Sequence, residues 1–416
     1  MSREQSEPYK HVPHEPHGAA GEPPYRHTAE GAQVPSPRQG TQQADGHPSP
    51  QDRGGREERP LEQLPTHGFD ERDSRSSGTW LPALVGVVVL ALAFLVGLVL
   101  NVLNMSRAVF VFLPQALLAL VLCVAVFAVG FWVLRRVRPV RSPSLVVSVT
   151  AAVWGALAVT GVATYANTGM SGLWGQILGF EQAGSWGAAL TAPLNEELLK
   201  LVGVVIIAVV FPRAVRGPVD GFVVGALVGL GFMVVENMFH ALNSISLTGG
   251  LAPTLSVVQT IGVRVFLTGL GSHWALTGIA GTAVGLVAPF GRRPGVRRVV
   301  GALLLVLLAM FLHGIVDAPL LTSGVGTLVK VVLVFVCAMA VYFTVRHTHR
   351  RRVREALSEE GQALGMRRSA ATALAGRHGR RRELGHVARP ERAAVRKRQK
   401  QMVETAEDRA VVSRTS

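Results

Sequence analysis

The sequence predicts an all-α, polytopic membrane helix bundle, with a disordered arm before it and a basic tail after it. Three observations carry that prediction. Residues 80–345 are a succession of long apolar runs, and Leu81 to Val102 alone reaches the roughly 20 residues that span a bilayer. Charge is partitioned along the chain: residues 1–79 hold 9 basic and 13 acidic side chains, 80–345 hold 14 and 6, and 346–416 hold 19 and 8. The loops between the apolar runs alternate between arginine-rich and arginine-poor. Together these exclude a soluble globular enzyme.

The first 79 residues contain 11 of the 23 prolines and six of the 13 histidines, with too few large apolar side chains to offset the entropy of ordering. They are expected to be a disordered arm in which His11, His14 and His17 are solvated spacers. The first apolar run begins only near position 80, so it reads as an uncleaved anchor. Eight segments follow, at about 80–103, 109–134, 144–165, 186–211, 219–243, 255–289, 299–320 and 327–345. Arg135, Arg136, Arg138 and Arg141 follow the second, Arg213 and Arg216 the fourth, and Arg292, Arg293, Arg297 and Arg298 the sixth. The positive-inside rule then places these loops and both termini in the cytoplasm of a multi-pass cell-membrane protein. The segment 255–289 would be about 52 Å long as one helix, against a hydrocarbon core of about 30 Å, so it is expected to tilt or to break near Gly269 and Gly271. Cys123 and Cys337 lie inside apolar runs and read as packing residues, without a disulfide framework or a thiolate zinc site. The tail, with basic runs from His378 to Leu384 and from Ala394 to Gln401, is expected to be solvated and drawn to anionic lipid; no specific nucleic-acid partner is expected.

Polar side chains inside the spans are the informative exceptions. Only six carboxylates occur between residues 80 and 345, and Glu196, Glu197, Glu236 and Asp317 lie within spans, as do Lys200, His240, Arg264, His273 and His313. An ionised group in hydrocarbon costs about 2.5–3.5 kcal/mol on insertion scales, so each needs a partner, water or a metal. Topology places Glu196 and Glu197, Glu236, and the His313–Asp317 pair in the outer half of three spans, with His273 able to reach the same level. Imidazole and carboxylate suit Zn²⁺, and three protein ligands leave a position for water. Glu236, His273 and His313 are the expected ligands. Glu196 is expected to act as general base, and Glu197, about 100° away on the same helix, to hold substrate or a neighbouring helix. Lys200 would neutralise part of the carboxylate charge, and Asp317, one turn beyond His313, would orient the imidazole or join the ligands. His240 reads as a polar span end, Arg264 as snorkelling, Asp220 as a helix N-terminal charge, and Gly225, Gly229 and Gly231 as close-packing positions.

These residues carry a resemblance. Glu196-Glu197-Leu198-Leu199-Lys200 resembles the EExxK motif of the PrsW family of intramembrane proteases, and Phe232-Met233-Val234-Val235-Glu236-Asn237 resembles its FxxxEN element. His273 and His313-Gly314-Ile315-Val316-Asp317 resemble its third and fourth motifs, in the family's order, over roughly residues 80–345. PrsW proteins are related to the CAAX proteases and bacteriocin-processing enzymes, which share the double glutamate but usually show histidine where Glu236 stands. The resemblance implies endoproteolysis in or beside the membrane. For the best-known members it implies first-site cleavage of a single-pass anti-sigma factor on its outer side, by a metal-dependent or a glutamate-dependent mechanism. Asn237 enters as a supporting residue through the same motif. A proton-coupled transporter would place similar groups at mid-membrane, but would favour inverted repeats that the sequence lacks. A non-catalytic scaffold on the same fold is the third alternative, disfavoured because every motif position keeps a side chain competent for chemistry.

Overall fold

A computed structural model describes residues 80–138, 140–288 and 293–412. The proline-rich arm, residues 1–79, with His11, His14 and His17, lies outside the described residues, as does Arg292. Among the described residues, ten helices build the bundle: α1 (Trp80–Val111), α2 (Leu113–Val137), α3 (Leu145–Val153), α4 (Thr160–Leu178), α5 (Phe180–Val210), α6 (Pro218–Leu247), α7 (Pro253–Phe266), α8 (His273–Val287), α9 (Val296–Asp317) and α10 (Gly324–Ala363). A π-helical turn, Trp154–Val159, joins α3 to α4 without interrupting the rod. Three further helices follow, α11 (Arg368–Ala373), α12 (Arg377–Gly385) and α13 (Arg392–Val412).

Among the described residues, seven helical segments are long and apolar enough to cross a bilayer. The remaining one of the eight expected spans is α5. Its 31 residues suffice in length, but Glu196, Glu197 and Lys200 interrupt its apolar part. Helix α5 begins at Phe180 and runs through Pro193. The segment 255–289 is broken: α7 ends at Phe266, a 3₁₀ turn occupies Gly269–Gly271, and α8 begins at His273. Helix α6 is the hub, packed against α2, α3, α7 and α8, with Phe222, Val224, Leu227, Leu230 and Phe232 in the core. Glycine makes its contact with α8 close enough: a Cβ on Gly229 would lie 2.2 Å from the His273 carbonyl oxygen. The outer helices turn leucine and valine outward, for example Leu81, Leu92, Leu95 and Leu103 on α1, as lipid-facing surfaces do.

The region expected to be a solvated tail is packed instead. Helix α10 continues unbroken past position 345 to Ala363, and Val353, Leu357, Met366, Leu374, Met402, Val403 and Ala406 form a second core with Val140. Helix α13 then latches onto the loops at the arginine end of the bundle. Glu404 pairs with Arg141 at 2.6 Å, Glu407 with Arg138 at 3.4 Å and Arg216 at 3.2 Å, and Asp408 also pairs with Arg216. Burial would raise the Glu407 carboxyl, but His349, Arg138 and Arg216 outweigh it and hold the group down at about 2. Apolar positions 395, 402, 403, 406 and 410 bury one side of α13, which its overall basicity conceals.

Candidate active site

Four helices bring their ionisable side chains to one level. Counting from the arginine end, Glu196 stands 14 residues before the end of α5, Glu236 18 after the start of α6, His273 14 before the end of α8 and His313 17 after the start of α9. At 1.5 Å per residue these offsets are about 21–27 Å, a single layer toward the opposite end.

Glu196 and Glu197 divide as neighbours about 100° apart must. Glu196 lines a cavity of about 610 Å³ together with Glu236, His273, His313 and Asp317. Glu197, 1% exposed, turns inward, where its Oε1 lies 3.0 Å from Lys200 Nζ and 3.1 Å from His313 Nδ1, and its Oε2 accepts from Thr277. Lys200 is fully buried, bonded to both glutamates, and stacked 3.8 Å from the Phe232 ring.

Each histidine donates one ring nitrogen to a carboxylate and turns the other toward Glu196. His273 Nε2 is 3.0 Å from Glu236 Oε2, and its Nδ1 is 3.8 Å from Glu196 Oε2. His313 Nδ1 faces Glu197, and its Nε2 is 3.8 Å from the same Glu196 oxygen and 3.4 Å from Asp317 Oδ2. Ligand atoms of Glu196, His273 and His313 all lie within 4.8 Å of one another. This donor set suits a divalent metal: two imidazoles with one lone pair each, a carboxylate, and carboxylates behind both imidazoles. The charge fits as well. Glu196, Glu197, Glu236 and Asp317 against Lys200 and Arg264 leave two negative charges for a dication.

Glu236 has a different neighbourhood from the other expected ligands. Besides His273 it is paired with Arg264, whose Nε also donates to Asn237. Arg264 therefore faces the site instead of snorkelling. His240 is 3.6 Å from the other oxygen of Glu236 and half-exposed, outside the close donor set. Asp220 lies far from the cavity and binds Arg138.

Three contributors escaped sequence reading. Asn167 on α4 donates to Glu196 Oε1 at 3.1 Å, Asn195 donates to Asn167 Oδ1 at 3.1 Å, and Lys330 on α10 donates to the Val316 and Ala318 carbonyls that flank Asp317. A lone lysine within an apolar run was the available signal for the last.

The model of one protein family, described as PrsW family intramembrane metalloprotease, matches residues 143–345. Over that stretch the chain is similar to the PrsW family. The match takes in α3 to α9 and the membrane part of α10, every helix that supplies the site. No curated protein and no solved structure matches. The chain is a multi-pass membrane protein and an intramembrane peptidase; the matched family's activity implies a metal, and the substrate is a membrane protein.

Proposed function

We propose that this peptidase cuts a single-pass membrane protein, such as an anti-sigma factor, near the outer face of the cell membrane. In this reading both termini and the arginine end lie in the cytoplasm. The cavity layer, about 21–27 Å from that end, then falls in the outer half of the bilayer. Exposed Arg381, Arg382, Arg396 and Lys397 suit the headgroups of anionic lipid on the cytoplasmic side.

The observation that carries the chemistry is the convergence of His273 Nδ1 and His313 Nε2 on Glu196 Oε2. Glu196, His273 and His313 would hold the metal, with Glu236 moving from the expected ligand set to the carboxylate that orients His273. Zn²⁺ fits this set best, and when bound it would acidify a water and polarise a carbonyl. Glu197 fixes the His313 tautomer by accepting from Nδ1, and Lys200 balances the two glutamates. Asp317 lines the cavity beside His313 and keeps an oxygen for the proton of the attacking water, which it returns to the departing amide nitrogen.

One observation favours a second, metal-free reading. Lys200 Nζ lies 3.0 Å from His273 Nδ1 and 3.1 Å from Glu196 Oε2, so the ammonium holds the corner a metal would share. Glu196, paired with that lysine, would then be the general base.

The deciding experiment compares membrane proteomes of cells carrying the intact protein and Glu196→Gln, alongside metal analysis of both purified proteins. The metal reading expects a single-pass protein to lose its outer segment only with the intact enzyme, and about one equivalent of zinc to be retained only by it. Shedding with both proteins would overturn the assignment of Glu196. Full activity after exhaustive chelation would replace the first reading with the second.

A further inference from the structure

We infer that Asn167, braced by Asn195, is a positioning residue that aims Glu196 at the two histidines, and that the π-turn of the α3–α4 rod puts it there. This rests on the proposed role of Glu196 as a ligand. A carboxylate on a flexible side chain turns about its last bonds unless both oxygens are held. Glu196 is held at both: Oε1 by Asn167 Nδ2 at 3.1 Å and Oε2 by Lys200 Nζ at 3.1 Å. With those anchors Oε2 lies 3.8 Å from each histidine nitrogen.

An asparagine amide can present either its oxygen or its nitrogen, and only the nitrogen attracts a carboxylate. Asn195 decides the matter. Its Nδ2 donates to Asn167 Oδ1, which leaves Asn167 Nδ2 for Glu196. Asn195 and Glu196 are adjacent on α5, so one helix both fixes the amide and receives its bond. The amide is also neutral: it orients the glutamate without adding a third cation to compete with a dication.

Seven-residue spacing puts Thr160, Asn167 and Trp174 on one side of α4, and the lower two bond to α5, Trp174 through its Nε1 to Thr191 Oγ1 at 3.0 Å. A π-turn accommodates one extra residue, which rotates every later position by about 100° relative to an unbroken α-helix. The turn at Trp154–Val159 therefore decides which side of α4 meets Glu196. It is pinned from three helices. Trp154 Nε1 donates to the Leu199 carbonyl on α5, Asn101 of α1 donates to the Leu157 carbonyl, and a Cβ on Gly155 would come 1.9 Å from the Val228 carbonyl on α6.

The test uses the full chain in detergent, Co²⁺ as the probe, and three readouts: Co²⁺ affinity by equilibrium dialysis, its visible d–d spectrum, and thermal stability. Asn167→Ala should weaken Co²⁺ binding about 10–100-fold and alter the spectrum while the melting temperature holds. Asn195→Ala, which removes only the brace, should weaken it less, and exposed Thr168→Ala not at all. In the Glu196→Gln background, Asn167→Ala should have no further effect on affinity. Wild-type affinity in Asn167→Ala, or an equal additional loss in the Glu196→Gln background, would overturn the inference. A wild-type protein that takes up no Co²⁺ would overturn the metal reading and this inference together, and is told apart because Glu196→Gln would then match wild type.

Discussion

The protein gathers charge at two levels, and the two clusters are balanced differently. At the arginine end, Asp220, Glu404, Glu407 and Asp408 each touch a guanidinium of Arg138, Arg141 or Arg216. In the site layer, four carboxylates share two cations, and Asp317 touches only an imidazole. Charge in which every carboxylate meets a guanidinium joins elements together, because separating it is costly. Charge left over in a cavity calls for a ligand.

The comparison breaks most sharply if the site cluster also proves merely structural. Glu196→Gln should reduce cleavage to background and abolish zinc retention, with folded yield and melting temperature held close to wild type; a large fall in melting temperature without loss of metal would put this cluster in the same class as the latch. Asp317→Asn should slow cleavage by about 10²–10⁴-fold with zinc retained, as removal of a general base does. Steady-state kinetics with metal analysis separates these two cases.

The latch should behave in the opposite way. Glu407→Ala leaves Arg138 and Arg216 buried without their shared partner and should cost about 3–5 kcal/mol of local stability, read as faster proteolytic cutting between α10 and α13, with zinc content unchanged. Acid sharpens the point. Because the folded Glu407 carboxyl is depressed from 4.5 to about 2, its contribution is present in full above pH 4.5 and fades as pH falls toward 2. Hydrogen exchange of α13 should therefore rise across that window, and much less in Glu407→Gln. The smallest effect is expected from His240→Ala, where a half-exposed imidazole outside the donor set should leave zinc affinity unchanged and cleavage within about threefold. A large loss of zinc would extend the ligand set outward along α6.

The site's members were legible because hydrocarbon makes every ionisable residue conspicuous: Glu196, Glu197, Lys200, Glu236, His273, His313 and Asp317 stand out from their apolar runs. Their division was less so. Helical spacing gives the direction of Glu236 to within a turn, but not that Arg264, 28 residues on, would claim one of its oxygens. Asn167 gave no signal, since a neutral amide in a span is unremarkable by composition and a π-turn has no sequence signature here. The tail was misjudged for another reason. Its acidic residues find their partners far away in sequence, Glu404 with Arg141 across 263 positions, and net charge cannot distinguish repelling neighbours from distant pairs. Length called for a tilt or a break in the segment 255–289, the glycines marked the place, and the chain breaks there, at Gly269–Gly271.

Helix α10 has a mechanical consequence. Forty residues make about 60 Å of continuous hydrogen-bonded rod, twice the thickness of the hydrocarbon it crosses. Near one end Lys330 grips the carbonyls on either side of Asp317, and near the other Val353 and Leu357 are embedded in the core that carries α13. Such a rod works as a lever: a tilt imposed where the last helices grip it must arrive, undiminished by any hinge, at the carbonyls beside the cavity.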